Sequence, residues 1–196
     1  MADVVLFHHV QGRTDGVLAF AESLRADGHT VHTPDLFDGA RPESIDAGLT
    51  LIKSIGGDVL DDHADRVVAG LPAGLVYAGI SWGAMSAQRL AQTLPGARGV
   101  LLYESCMPIT GEWAAGPWPA GLPVQIHGMD ADPVFVQDGD LDAARELVGI
   151  VGGDLAELYL YPGDRHLFTD SSLPSYDRES AALVLERSRD FLSRRS

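Results

Sequence analysis

The 196 residues are 45% hydrophobic and 21% charged with a formal net charge of −14, which suits one globular domain with a substantial core and disfavours nucleic acid and anionic membranes as partners. The single cysteine, Cys106, excludes an internal disulfide and makes a reducing cytoplasm the expected location. Met1-Ala2-Asp3 lacks the basic flank of a signal peptide, and no apolar run approaches the ~18 residues of a membrane span.

Asp3 to Phe7 is a compact apolar run and reads as a buried strand. A polar loop from His8 to Gly16 follows, then Val17, Phe20, Ala21 and Leu24 at helical spacing, stopped by Gly28. Thr30 to Thr33 is a short β-branched strand. Ser44 to Leu71 reads as two helices broken at Gly56-Gly57. Strands are expected before Ser81, over Gly99–Tyr103, over Leu122–His127 and over Leu155–Tyr161. Helices are expected after Ser81, around Leu141–Val151, and around Ala181–Leu192. Short continuous apolar strands separated by amphipathic helices imply an α/β fold: a mostly parallel sheet of about six or seven strands with helices on both faces. The connection from Met107 to Gly121 is long and irregular. Its Trp113 and Trp118 are candidate walls of a substrate pocket.

Chemistry enters at Leu75-Val76-Tyr77-Ala78-Gly79-Ile80-Ser81-Trp82-Gly83. An apolar strand runs into G-x-S-x-G and then a helix, the context in which a sharp turn presents a serine at the sheet edge. The N–H of Trp82 would then stand beside the hydroxyl at a helix start, where it can stabilise an oxyanion. A serine needs a base, and the base needs a group to hold its tautomer. His166 follows the last strand, and Asp130 and Asp132 follow the strand Leu122–His127. The order Ser81, Asp, His166 is that of an α/β-hydrolase. His127 lies inside a strand and reads as structure. Asp138-Gly139-Asp140-Leu141-Asp142 lacks the turn glycine and terminal glutamate of a calcium loop, and His8-His9 has no zinc spacing. No metal and no organic cofactor are expected.

With those residues in view, the chain resembles the dienelactone hydrolases over nearly its whole length. Val4–Gly12 is similar to that family's first strand and oxyanion loop, and Thr33-Pro34-Asp35-Leu36-Phe37 to its Pro-Asp-Leu-Tyr segment. Gly79–Gly83 matches its nucleophile elbow, and His166-Leu167-Phe168 its histidine followed by phenylalanine. The resemblance implies Asp132 as the triad acid, with Asp130 the alternative, and the N–H of Val10 as a second oxyanion donor. His9 and Gln11 fall in the oxyanion loop and are pocket candidates. Two departures stand out: the family's cysteine is Ser81 here, and its oxyanion-loop glutamate is His9. The family's carboxylate-binding arginines have no counterpart, since four residues past His166 is Asp170. The implied substrate is a small neutral ester, lactone or thioester rather than dienelactone. The alternatives are a thioesterase or acyltransferase using the same triad, and a catalytically silent fold serving as a binding module.

Overall fold

The computed structural model describes residues 1–112 and 114–195, so Trp113 lies outside the described residues. Among these, six strands form one parallel sheet: β1 (Asp3–Phe7), β2 (Thr30–His32), β3 (Val76–Ile80), β4 (Gly99–Tyr103), β5 (Val124–Met129) and β6 (Ala156–Tyr161). Their spatial order is β2-β1-β3-β4-β5-β6, and every neighbouring pair is parallel. Seven helices accompany them: α1 (Asp15–Arg25), α2 (Ile45–Ile55), α3 (Gly57–Ala69), α4 (Trp82–Thr93), α5 (Pro133–Gln137), α6 (Asp140–Val151) and α7 (Arg178–Ser193).

Alternating strand residues divide the core in two. Val5, Tyr77, Val100 and Val124 share a register row and pack with Leu60 of α3, Leu90 of α4 and Leu147 of α6. Their neighbours Val4, Val76, Ala78 and Leu101 face the other way, against Phe20 of α1 and Val184 and Phe191 of α7. Both sheet faces are therefore dry, which is why these strands read as unbroken apolar runs.

The strand order reverses between β1 and β3, because the chain leaves β1 toward β2 and leaves β3 toward β4. Loops diverge there and open a crevice at the C-terminal strand ends, the usual ligand position in an open α/β sheet. The segments following β1 and β3 are His8–Gly12 and Ser81-Trp82. The fold thus brings the proposed oxyanion loop and the elbow serine to the same point.

Some boundaries differ from the sequence reading. β5 starts at Val124 and continues to Met129, two residues past His127. α5 was not expected, being a single turn too short to show periodicity, although Asp132 as N-cap and Pro133 at the first position mark it. Trp118 is corrected as a pocket wall. Its indole N–H donates to the Leu122 carbonyl at 2.9 Å, just ahead of β5 and so at the opposite sheet edge from Ser81. It is partly buried against the core there.

The elbow is sterically exacting. A Cβ at Gly79 would overlap the Gly83 carbonyl, and one at Gly83 would overlap the carbonyl oxygens of Phe7 and His8. Backbone cannot yield as a side-chain tip can. We expect Gly79→Ala to lower unfolding stability by about 1–3 kcal/mol or more. Gly149→Ala, on an open surface of α6, should raise it by about 0.5–1 kcal/mol. Paired urea melts check both signs.

Candidate active site

Ser81 occupies the turn between β3 and α4 with φ 51° and ψ −119°, in the left-handed half of conformational space that non-glycine residues seldom enter. Its amide donates to the Tyr103 carbonyl at 2.7 Å, and its carbonyl accepts from Ala84 at 2.8 Å. The strained residue is thus clamped from β4 and from its own helix. Its side chain projects from the sheet edge, and the Oγ–H donates to His166 Nε2 at 2.7 Å.

His166 follows β6 and lies directly before Leu167, itself at φ 60°. Its Nδ1–H donates to Asp132 Oδ2 at 2.7 Å. The carboxylate is fully buried, and its other oxygen accepts from the Val134 amide at 2.9 Å, capping α5. One carboxylate therefore fixes both a helix start and the histidine tautomer. Asp130 does not reach the imidazole. It is exposed, and its Oδ1 accepts from the Gly163 amide at 3.1 Å. With the Ala131 amide on the Gly163 carbonyl at 2.9 Å, it braces the loop that carries His166. Burial alone would lower the pKa of His166. The bond to Asp132 and the charges of Glu104, Asp132 and Asp140 outweigh it, leaving the pKa above the ordinary 6.5.

Opposite the serine, the segment after β1 is tightly held. Gly12 N–H donates to the His9 carbonyl at 3.0 Å, Gln11 N–H to His9 Nδ1 at 3.1 Å, and Gln11 Nε2–H to the Pro42 carbonyl at 3.2 Å. α2 approaches so closely at Gly48 that a Cβ there would overlap the Val10 carbonyl. Among the described residues, neither the Val10 nor the Trp82 amide donates to a protein acceptor. A buried amide normally finds a partner, so two unspent donors at the switch point suit an incoming oxygen.

His9 is corrected as a pocket residue. It is fully buried and its Nε2–H donates to Asp170 Oδ2 at 2.7 Å. Asp170 also accepts from the hydroxyls of Thr14 and Ser172 and from the Ser172 amide. Burial opposes ionisation of Asp170, but these bonds, led by the one from His9, prevail and pull its pKa down to about 2. Gln11 is likewise buried and engaged with the backbone. Both shape the loop from behind. His8 is kept neutral by burial, with a pKa of about 4, and its Nε2 accepts from the Leu36 amide at 3.1 Å. His127 is structural: burial lowers its pKa to about 3, and it bonds Tyr161 and Gln125. Burial pushes the Cys106 thiol well above its usual range, so it is no rival nucleophile.

Beside the elbow lies a cleft of about 340 Å³, walled by Trp82, Met85, Ser86 and Arg89 of α4, Gly57 and Asp61 of α3, and Met107, Glu112, Ala114 and Ala115. The long connection thus does line a cleft, through residues other than Trp118. Arg89 at its end is already paired with Asp61 at 3.1 Å and Asp65 at 2.8 Å. A larger hollow of about 440 Å³ under Gly74–Tyr77 is at the wrong sheet edge for Ser81. Glu104, which closes β4, was missed by the sequence reading. It is fully buried, and its only sequence signal is an acidic residue following an apolar strand.

A family model described as the dienelactone hydrolase family matches residues 1–196, while no curated protein matches the chain. Among solved structures, a proposed dienelactone hydrolase from Klebsiella pneumoniae aligns at TM-score 0.76 and 20% identity, over 98% of this chain and 87% of that one. A dienelactone hydrolase-like promiscuous phosphotriesterase from metagenomic libraries aligns at TM-score 0.76 and 19% identity, over 99% and 86%. A proposed α/β-superfamily hydrolase from Xanthomonas campestris aligns at 0.63 and 18%, over 98% and 99%. At these identities the structures speak for the α/β-hydrolase fold, and the family model adds the family: the chain belongs to the dienelactone hydrolase family.

Proposed function

We propose that the protein hydrolyses small neutral esters or lactones through a Ser81–His166–Asp132 triad and an acyl-enzyme. The observation that carries this reading is the continuous hydrogen-bond chain from Ser81 Oγ to His166 Nε2 and from His166 Nδ1 to Asp132, each link 2.7 Å. Ser81 attacks the carbonyl carbon as its proton passes to His166. The amides of Val10 and Trp82 take the oxyanion, a contribution of ~3–4 kcal/mol per donor in comparable sites. His166 then protonates the leaving alkoxide. Water, activated by the same imidazole, releases the acid.

The substrate class follows from charge. The cleft's one arginine is neutralised by two aspartates. A substrate carboxylate would therefore meet no free cation, whereas Trp82, Met85 and Met107 offer apolar contact to a neutral acyl or alcohol group. A thioester has the same shape and charge and shares the mechanism. The catalytically silent reading is disfavoured by the intact proton relay, because a binding module has no use for a hydroxyl aligned on an oriented imidazole.

Ser81→Ala should reduce p-nitrophenyl acetate hydrolysis by at least about 10⁴-fold while leaving the melting curve intact. Asp132→Asn, which reverses the tautomer of His166, should cost about 10³–10⁴-fold in kcat. His166 works as a base only when neutral, and its pKa is raised. The log kcat/KM profile should therefore fall as pH drops through a value above 6.5 and level off on the alkaline side.

A further inference from the structure

Glu104 is a residue the mechanism above leaves unused, and its position calls for an account. It follows β4 with φ 63°, and its amide continues the sheet by donating to the His127 carbonyl at 2.6 Å. The side chain is fully buried. Oε1 accepts from the Thr169 amide at 3.1 Å and from its hydroxyl at 2.8 Å. Oε2 has no partner among the described residues. A buried carboxyl oxygen left without a hydrogen-bond partner is costly, and a left-handed backbone at a glutamate adds strain. An apolar residue there would avoid the first cost.

The surroundings indicate what this arrangement serves. Thr169 lies three residues beyond His166, so the Oε1 bonds tie the histidine's loop to the end of β4. From the loop after β1, His9, bonded through Nε2 to Asp170 at 2.7 Å, also acts electrostatically on Glu104. The charges of three carboxyls from three elements favour the protonated form of His166: Asp132 at the start of α5, which it touches, Asp140 at the start of α6, and Glu104. Asp140 is occupied by the Ser105 hydroxyl at 2.6 Å and the Cys106 amide at 3.2 Å. Asp132 is divided between His166 and the α5 cap. Both bonds to Asp140 fall on Oδ2, and of the three carboxyls only Glu104 has a fully buried oxygen without a hydrogen-bond partner among the described residues.

Resting on the triad reading, we propose that Glu104 is a positioning residue for His166: it anchors the loop that carries the imidazole, and its carboxylate stabilises the imidazolium formed when Ser81 gives up its proton. Burial dominates and holds the Glu104 carboxyl above the ordinary carboxylate range, while a charged His166, the Thr169 bonds and His9 pull toward the carboxylate. The carboxylate is therefore most favoured at the step where it is needed. Proton transfer from Ser81 to His166 turns the imidazole into the cation that favours this charge.

Glu104→Gln tests this, because the amide keeps an oxygen for Thr169 and cannot carry the charge. The readout is the pKa of His166, followed by NMR of ring-labelled histidine and assigned by the resonance lost in His166→Ala. It should fall by roughly half a unit to one unit, a ~3–10-fold loss of proton affinity. The acid limb of kcat/KM should move to lower pH with it, and kcat should fall several-fold at little change in KM. An unchanged His166 pKa in a folded Glu104→Gln protein would overturn the proposal, including the case where only thermal stability suffers. Because the NMR titration needs no turnover, it stands apart from the triad reading, which fails separately if Ser81→Ala retains wild-type hydrolysis.

Discussion

The backbone conformation of Ser81 is the constraint on which the rest depends. A side chain held at φ 51° points where no ordinary strand or helix residue would, out of the sheet edge and toward the loop after β6. The conformation persists because neighbours over-determine it: Tyr103 takes the amide, Ala84 takes the carbonyl, and Gly79 and Gly83 leave no gap for anything larger than hydrogen. The close approach of Gly83 to Phe7 and His8 also presses the start of α4 against the end of β1, so the Trp82 amide and the Val10 segment meet at the same switch point. Sheet topology, elbow geometry and the two unspent amides are thus one construction.

Behind that construction stands a buried polar layer that differs from the family pattern the sequence brings to mind. Where that family has a glutamate in the oxyanion loop, this chain has His9, bonded to Asp170 at 2.7 Å and holding the Gln11 amide through its other nitrogen. A thiol nucleophile needs its ionisation governed; a serine needs only a base and a rigid oxyanion site. The His9–Asp170 pair supplies rigidity, since Asp170 gathers Thr14 at the start of α1 and Ser172 beyond His166. The loop of Val10 and the loop of His166 are joined through that one carboxylate.

Much of this was legible in the sequence, and the limits have physical causes. Parallel strands buried on both faces leave apolar runs, and an elbow needing two glycines leaves G-x-S-x-G, so β3, Ser81 and the chain order of the partners could be read directly. Asp130 and Asp132 could not be separated by spacing, because both sit in one turn. Asp132 turns inward because Pro133 starts a helix that it caps, while Asp130 turns outward to the Gly163 amide. Trp118 misled because hydropathy marks an aromatic residue in a long connection without saying which sheet edge the connection passes. Glu104 left almost no trace, since its burial is set by a left-handed turn and by Thr169, 65 residues away.

The central claim is that the hydroxyl at position 81 is a nucleophile activated by its imidazole neighbour, and covalent capture tests it most directly. After treatment with a fluorophosphonate, intact mass spectrometry and peptide mapping should find one adduct per chain, on Ser81, with labelling that slows sharply in His166→Ala. Folded protein that takes up no label, or takes it up at another residue, would contradict the account.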